Sequence, residues 1–329
     1  MKNVKVILIS VALCATVFAN QRIAALGNDA GFWSGDRANV GIFPATINDH
    51  AFVEIDGVGD AGGVDATILW GDATKWGFNF NGDDANSWFN IMWGSNGMGL
   101  SVSYIANDDG MDGNDDPSGF HVGYGKNFDW GELGVGFMSG VGDENNNSWN
   151  NDASCYWANW RSSMDAWVFD TAKASFRMDD DGGDNSKMTL GFDMFTHLDA
   201  GGADVLFGLG TDYVSWSGDA DASATSMTLP SATLAVEAAL TDWATVRAFA
   251  NHTYTFSCDD EYGALGCGDE SSNADDNSTA WGFGLGFDWG QLNLDMSIGT
   301  DLFTDPMSMI TGYDDGGLAD GAVTLSYTF

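Results

Sequence analysis

Apolar and small polar residues alternate along this chain in stretch after stretch, and no segment approaches the roughly 18 uninterrupted apolar residues that a spanning helix needs. The last eight residues show the pattern most cleanly. Val323, Leu325, Tyr327 and Phe329 fall on one face of a strand, and Ala322, Thr324, Ser326 and Thr328 on the other. Trp281, Phe283, Leu285, Phe287 and Trp289 likewise oppose Gly282, Gly284, Gly286 and Asp288. Phe207 and Leu209 oppose Gly208 and Gly210, and Leu292, Leu294, Met296 and Ile298 oppose Asn293, Asp295, Ser297 and Gly299. A soluble sandwich would bury the apolar face against a second sheet and show more Lys, Glu and Thr on its other face. An apolar face opposite Gly, Asn and Ser suits lipid outside and water inside. If such a chain crosses a membrane, it does so as a closed barrel, the other structure that satisfies every backbone hydrogen bond in lipid.

The alternation predicts an all-β, antiparallel up-and-down barrel of about 16 strands, with 14 as the alternative because the first candidate is short. Candidate strands cover 51–56, 63–71, 75–82, 88–94, 98–106, 119–128, 132–142 and 154–162. They continue over 166–178, 186–198, 203–215, 230–240, 243–257, 278–288, 291–303 and 321–329. Connections alternate between short turns, such as Asp129-Trp130-Gly131 and Ser163-Met164-Asp165, and long polar loops rich in Asp, Asn and Gly. Trp70, Trp76, Trp93, Trp130, Trp160, Trp167, Trp243 and Trp289 lie at or near the short turns, where indoles form an interfacial girdle.

Three segments follow. Residues 1–19 read as a secretory signal: Lys2 and Lys5, an apolar core from Val6 to Leu13, then Val17-Phe18-Ala19 before the cut. Residues 20–49 form a hatch or a periplasmic extension, and 50–329 the barrel. The sequence carries 48 acidic against 11 basic residues, which repels phosphates and excludes nucleic acid as a partner. Aromatic residues at 13% and apolar residues at 44% exclude disorder as the reason for that acidity.

Cys258 and Cys267 are close together in one predicted loop and, in an exported protein, are expected to form a disulfide. Cys155 is left over as a buried strand-end thiol. No cofactor is expected. Asp108, Asp112 and Asp115 offer hard oxygen ligands for calcium, but their run lacks the Glu and spacing of an EF-hand, and a solvated acidic loop accounts for it. His50, His121, His197 and His252 are scattered, and nothing sets one beside a nucleophile or acid, so no enzymatic activity is expected.

Parity places Arg161, Lys173, Arg177 and Arg247 on the polar face, together with Asp193, Asp212, Glu237 and Asp295. These are candidate pore-lining residues. Arg161 and the pair Lys173 and Arg177 lie on neighbouring strands, with Asp193 on the next. Glu237 and Arg247 flank a tight turn and face each other across the hairpin. Such charges either set the selectivity of a wet lumen or neutralise one another and brace the wall.

In pattern, the whole mature chain resembles the porin-like outer-membrane β-barrels of Gram-negative bacteria. Its last strand, ending on Phe329, resembles their C-terminal sorting signal, which implies recognition by the barrel-assembly machinery. Residues 22–47 carry Ala25, Gly27, Ala30, Asp36, Ala38, Asn39, Pro44 and Ala45, and resemble the opening of long-chain fatty-acid transporter (FadL-type) barrels, in which this stretch acts as a hatch. Phe43 stands where that family usually has Asn before Pro-Ala. The resemblance implies outer-membrane lipid as surroundings, and leaves monomer and homotrimer both open. With a polar lumen, the expectation is diffusion of small hydrophilic solutes or ions, with a modest cation preference. A FadL-like or secretion-associated barrel with a hatch, or a non-conducting structural or adhesive barrel, are the alternatives.

Overall fold

The computed structural model describes residues 20–58, 64–82, 86–107, 118–140, 153–218, 222–260, 264–265, 277–298 and 321–329. Residues 1–19, the acidic run containing Asp108, Asp112 and Asp115, and Cys267 lie outside them.

Sixteen strands form one closed antiparallel barrel, each paired with its sequence neighbours and β1 with β16. The first eight are β1 Phe52–Val58, β2 Asp65–Gly71, β3 Thr74–Gly82, β4 Asn86–Ser95, β5 Met98–Asn107, β6 Ser118–Phe128, β7 Gly131–Ser139 and β8 Ser154–Ala166. The rest are β9 Phe169–Asp180, β10 Ser186–Asp199, β11 Ala203–Ser217, β12 Ser223–Thr241, β13 Ala244–Asp259, β14 Ser278–Trp289, β15 Leu292–Ile298 and β16 Gly321–Thr328. Closure between β1 and β16 decides for sixteen over fourteen: Phe52 pairs with Thr328 and Glu54 with Ser326. The connections at one end of the barrel hold only two or three residues, and the start of β1 and the end of β16 lie at that same end.

Two boundaries differ from the sequence reading. The turn expected at Ser163-Met164-Asp165 lies inside β8, where the register with β9 shifts between Ser163 and Ala166; the turn itself is Trp167-Val168. Trp167 takes φ 59°, a left-handed conformation that ordinarily marks glycine or asparagine, so the sequence carries no turn signal there. β12 starts at Ser223, not near 230, because its Ser- and Thr-rich beginning reads as loop.

The outward face is apolar: Val53, Ile55, Phe80, Phe89, Ile91, Val102, Tyr104, Leu234, Leu325 and Tyr327 are all exposed. Trp70, Trp76, Trp130, Trp167, Trp243 and Trp289 are exposed toward the short-turn end, as a girdle requires. No helix among the described residues is long and apolar enough to cross a membrane. A closed antiparallel barrel with an apolar belt and an aromatic girdle is the architecture of an outer-membrane barrel.

Cys155 is buried in β8 beside Met138 and Trp157, and Cys258 is disulfide-bonded.

Candidate functional site

Residues 20–49 fold inside the lumen at the short-turn end, as a chain of short capped turns. Helix α1, Gln21–Ala24, is capped by Asn20, whose side chain accepts the Ile23 N–H at 3.0 Å. Asp29 accepts the Gly31 N–H at 2.8 Å and opens the 3-10 turn Ala30–Phe32. Asp36 accepts the Ala38 N–H at 2.7 Å and opens the turn Arg37–Gly41. Pro44, suited by its fixed φ to a first helical position, opens Pro44–Asp49. Each turn is too short to stand alone, so the wall supplies the rest of its stability.

This plug meets every strand of the barrel. Gln21 donates its backbone N–H to Thr324 on β16 at 2.9 Å, Ser297 on β15 bonds the Gln21 amide, and Ala25 lies against Gly284 on β14. Ile23, Leu26, Phe32 and Trp33 form a core with Phe195, Leu206, Ala235 and Phe249 from β10 to β13. Val40 and Ile47 form a second with Phe52, Leu69 and Met92 from β1, β2 and β4. Asn48 donates to Met98 O on β5 at 2.9 Å. The last plug turn also contacts β3, β6 and β7, while Arg161 on β8 hydrogen-bonds the plug and Lys173 on β9 forms an ion pair with it.

Glycine makes the closest of these contacts. A Cβ at Gly99 would fall 1.8 Å from Pro44 O, one at Gly125 2.4 Å from Ala45 N, and one at Gly134 2.1 Å from Ile42 O. Sequence reasoning assigns such small lumen residues to water. At these positions they admit a second backbone instead. The inward Phe195, Leu206, Phe249, Leu69 and Met92 likewise depart from a uniformly polar lumen, because they face the plug and not water.

All eight charged candidates lie on the inner face, and six of them join networks around the plug. Arg161 bonds Glu132 and donates to Gly31 O at 2.8 Å and Asn39 Oδ1 at 3.1 Å, with its guanidinium 4.6 Å from the Phe43 ring centre. Lys173 pairs with Asp29 of the plug and with Asp193 at 3.3 Å. Glu237 pairs with Arg247 at 2.5 Å and with Arg22 of the plug at 2.9 Å, and Arg247 reaches Asp295 at 2.7 Å. Arg177 pairs instead with Asp179 at 2.6 Å, and Asp212 faces Thr228, both nearer the loop end.

Sequence reasoning missed the plug's own partners. Arg22 also pairs with Asp36, and Arg37 with Glu54. Burial disfavours the Arg22 charge, but the bonds to Glu237 and Asp36 outweigh it and hold the guanidinium above the ordinary arginine range. Buried ion pairs roughly break even against desolvation, whereas each fully buried large apolar side chain contributes about 1.5–3 kcal/mol. Apolar burial therefore attaches the plug, and the charges fix its register.

A cleft of about 720 Å³ opens at the short-turn end, lined by Arg22, Trp33, Asp36, His50, His197 and Asp204 among others. Burial pulls the His50 imidazole below the usual histidine range. His121 bonds Trp157, and His252 lies on the lipid side against Thr279. No group of three or more His, Cys, Asp or Glu among the described residues is placed to hold a metal ion.

No protein-family model and no curated protein matches this sequence. Solved structures similar to it include a bacterial polysaccharide outer membrane secretin, at 10% identity and TM-score 0.49, covering 84% of this chain and 97% of that one. A porin refined at 1.8 Å is 12% identical at TM-score 0.44 over 84% and 98% of the two chains. The CymD monoaromatic hydrocarbon channel is 9% identical at TM-score 0.41 over 95% and 98%.

Proposed function

We propose that this chain is a plugged channel of the Gram-negative outer membrane, which passes small hydrophilic solutes by diffusion when residues 20–49 shift from their seat. The observation that carries this reading is the change of character along the lumen. Around the plug the wall is close-packed, its apolar side chains and buried ion pairs both engaged by residues 20–49. Nearer the loop end the inward residues include the polar Asn90, Ser103, Asp212, Thr233 and Asn251, beside one apolar cluster of Met138, Cys155 and Trp157. Water and polar solutes suit that wall, and an apolar substrate does not. A modest cation preference follows from the excess of acids.

The contact of the plug with all sixteen strands favours one other reading, a barrel that anchors its loops and does not conduct. Conductance in planar bilayers separates the two. The full mature chain should open rarely, and a variant lacking residues 20–49 should conduct steadily. Equal, steady conductance by both would remove the plug as the gate. Silence from both, with the barrel folded, would establish the anchor.

A further inference from the structure

His197 stands on β10 at the short-turn end, between wall and plug. Its Nδ1 lies 2.9 and 3.1 Å from the two carboxylate oxygens of Asp204 on β11, and its Nε2 lies 2.8 Å from the backbone oxygen of Phe32 in the plug. The Trp33 ring packs edge-on at 4.8 Å between centroids. A carbonyl oxygen only accepts, and so does an ionised carboxylate, whereas a neutral imidazole has a single N–H. Both contacts are hydrogen bonds only when the His197–Asp204 pair holds one proton more than neutral imidazole plus carboxylate. Without that proton, one contact sets two acceptors against each other.

We propose that His197 is a proton-dependent latch holding the plug to the barrel wall. The inference rests on the reading of residues 20–49 as a gate, and adds its regulation. The proton sits on the pair in acid, both bonds form, and Phe32 is tied to β10. As pH rises the proton leaves, the bond to Phe32 O or that to Asp204 is lost, and the plug is held less tightly. Asp204 and Asp199 lie on the wall side, and Asp49 and His50 line the cleft across from them. Arg22 and Arg37, the cations that line the same cleft, pair with Asp36 and Glu237, and with Glu54 and Asp295.

Two measurements on the full mature chain test this. Nitrogen-15 spectra of histidine-labelled protein in detergent at about pH 5 should show both His197 ring nitrogens protonated. Single-channel recordings should show openings about tenfold more frequent at about pH 8 than at about pH 5, the equivalent of one charge-assisted hydrogen bond. His197→Gln, which can still donate to Phe32 O, should flatten that dependence. A singly protonated ring in acid, or an unchanged pH response in His197→Gln, would overturn the latch. The variant lacking residues 20–49 serves as the reference. If it conducts like the full chain, the gate itself has failed; if it conducts steadily while His197→Gln keeps the wild-type pH response, only the latch has.

Discussion

Arg161 and Lys173 are direct cross-strand partners on β8 and β9, both on the lumen face and both buried. Like charges in that position repel, and the wall alone answers them only with Glu132 and Asp193. The remaining acceptors belong to the plug: Gly31 O, Asn39 Oδ1 and Asp29. The wall therefore carries a pair of cations that is fully satisfied only with the plug seated, which under the proposed gating would bias the plug toward return.

Removing one of those acceptors should loosen the gate. Asp29→Asn keeps the size of the side chain but takes away the charge opposite Lys173, while Asp193 still holds the ammonium. Asp29 is partly exposed, so the loss is modest: about 1 kcal/mol, or roughly a fivefold rise in opening frequency. Bilayer recordings check this, and barrel stability by heat-modifiable gel mobility should be unchanged.

Glycine substitutions test the seat itself. A Cβ at Gly99 would meet Pro44 O at 1.8 Å, backbone against backbone, with no flexible side chain to give way. Gly99→Val should leave the barrel assembled but displace the plug, so that limited proteolysis cuts within residues 20–49 and conductance becomes steady. Gly208→Ala is the control, since its nearest neighbour, Phe32, would stand 3.5 Å away in ordinary contact. Equal protease resistance in both variants would contradict the packing described.

The sixteen strands are legible in the sequence because period-two alternation is a local signal, and it fails only over part of a strand, as at the Ser- and Thr-rich start of β12. The seat of the plug is not. Lys173 meets Asp29 and Arg161 meets Gly31 across more than a hundred residues, and nothing in either neighbourhood marks the other. Gly99 and Gly134 look the same whether they make room for water or for Pro44 and Ile42. Leu69 and Leu206 break the polar inner face, and beside the hatch-like resemblance of residues 22–47 these inward apolar residues are the sign in the wall itself that something other than water touches it.

The end of β13 carries a covalent tie. Cys258 is disulfide-bonded at the end of β13, and Cys267 is the cysteine nearest to it in sequence. Non-reducing peptide mapping should recover the two linked. Reduction should leave barrel stability unchanged, because strand pairing carries the fold, and recovery of Cys258 linked elsewhere would redraw the loop.

Ion selectivity is best read in the variant lacking residues 20–49, where the lumen charges meet water. The sequence carries 48 acids against 11 bases, so in the proposed channel the mouth should hold a negative potential that concentrates cations within about 8–10 Å at physiological salt. Reversal potentials across a salt gradient should show a modest cation preference that weakens as salt rises. Arg161, Lys173 and Arg177 lie on adjacent strands of one wall, and without the plug the first two lose Asn39, Gly31 and Asp29 as partners. Glu132 and Asp193 still pair with them, but Lys173 has lost the charge of Asp29, and the positive charge of this wall should then oppose the cation preference. Replacing all three with neutral residues in the same variant should strengthen it severalfold. An anion-selective pore, or no change in the triple variant, would mean that these side chains do not reach the conducting path.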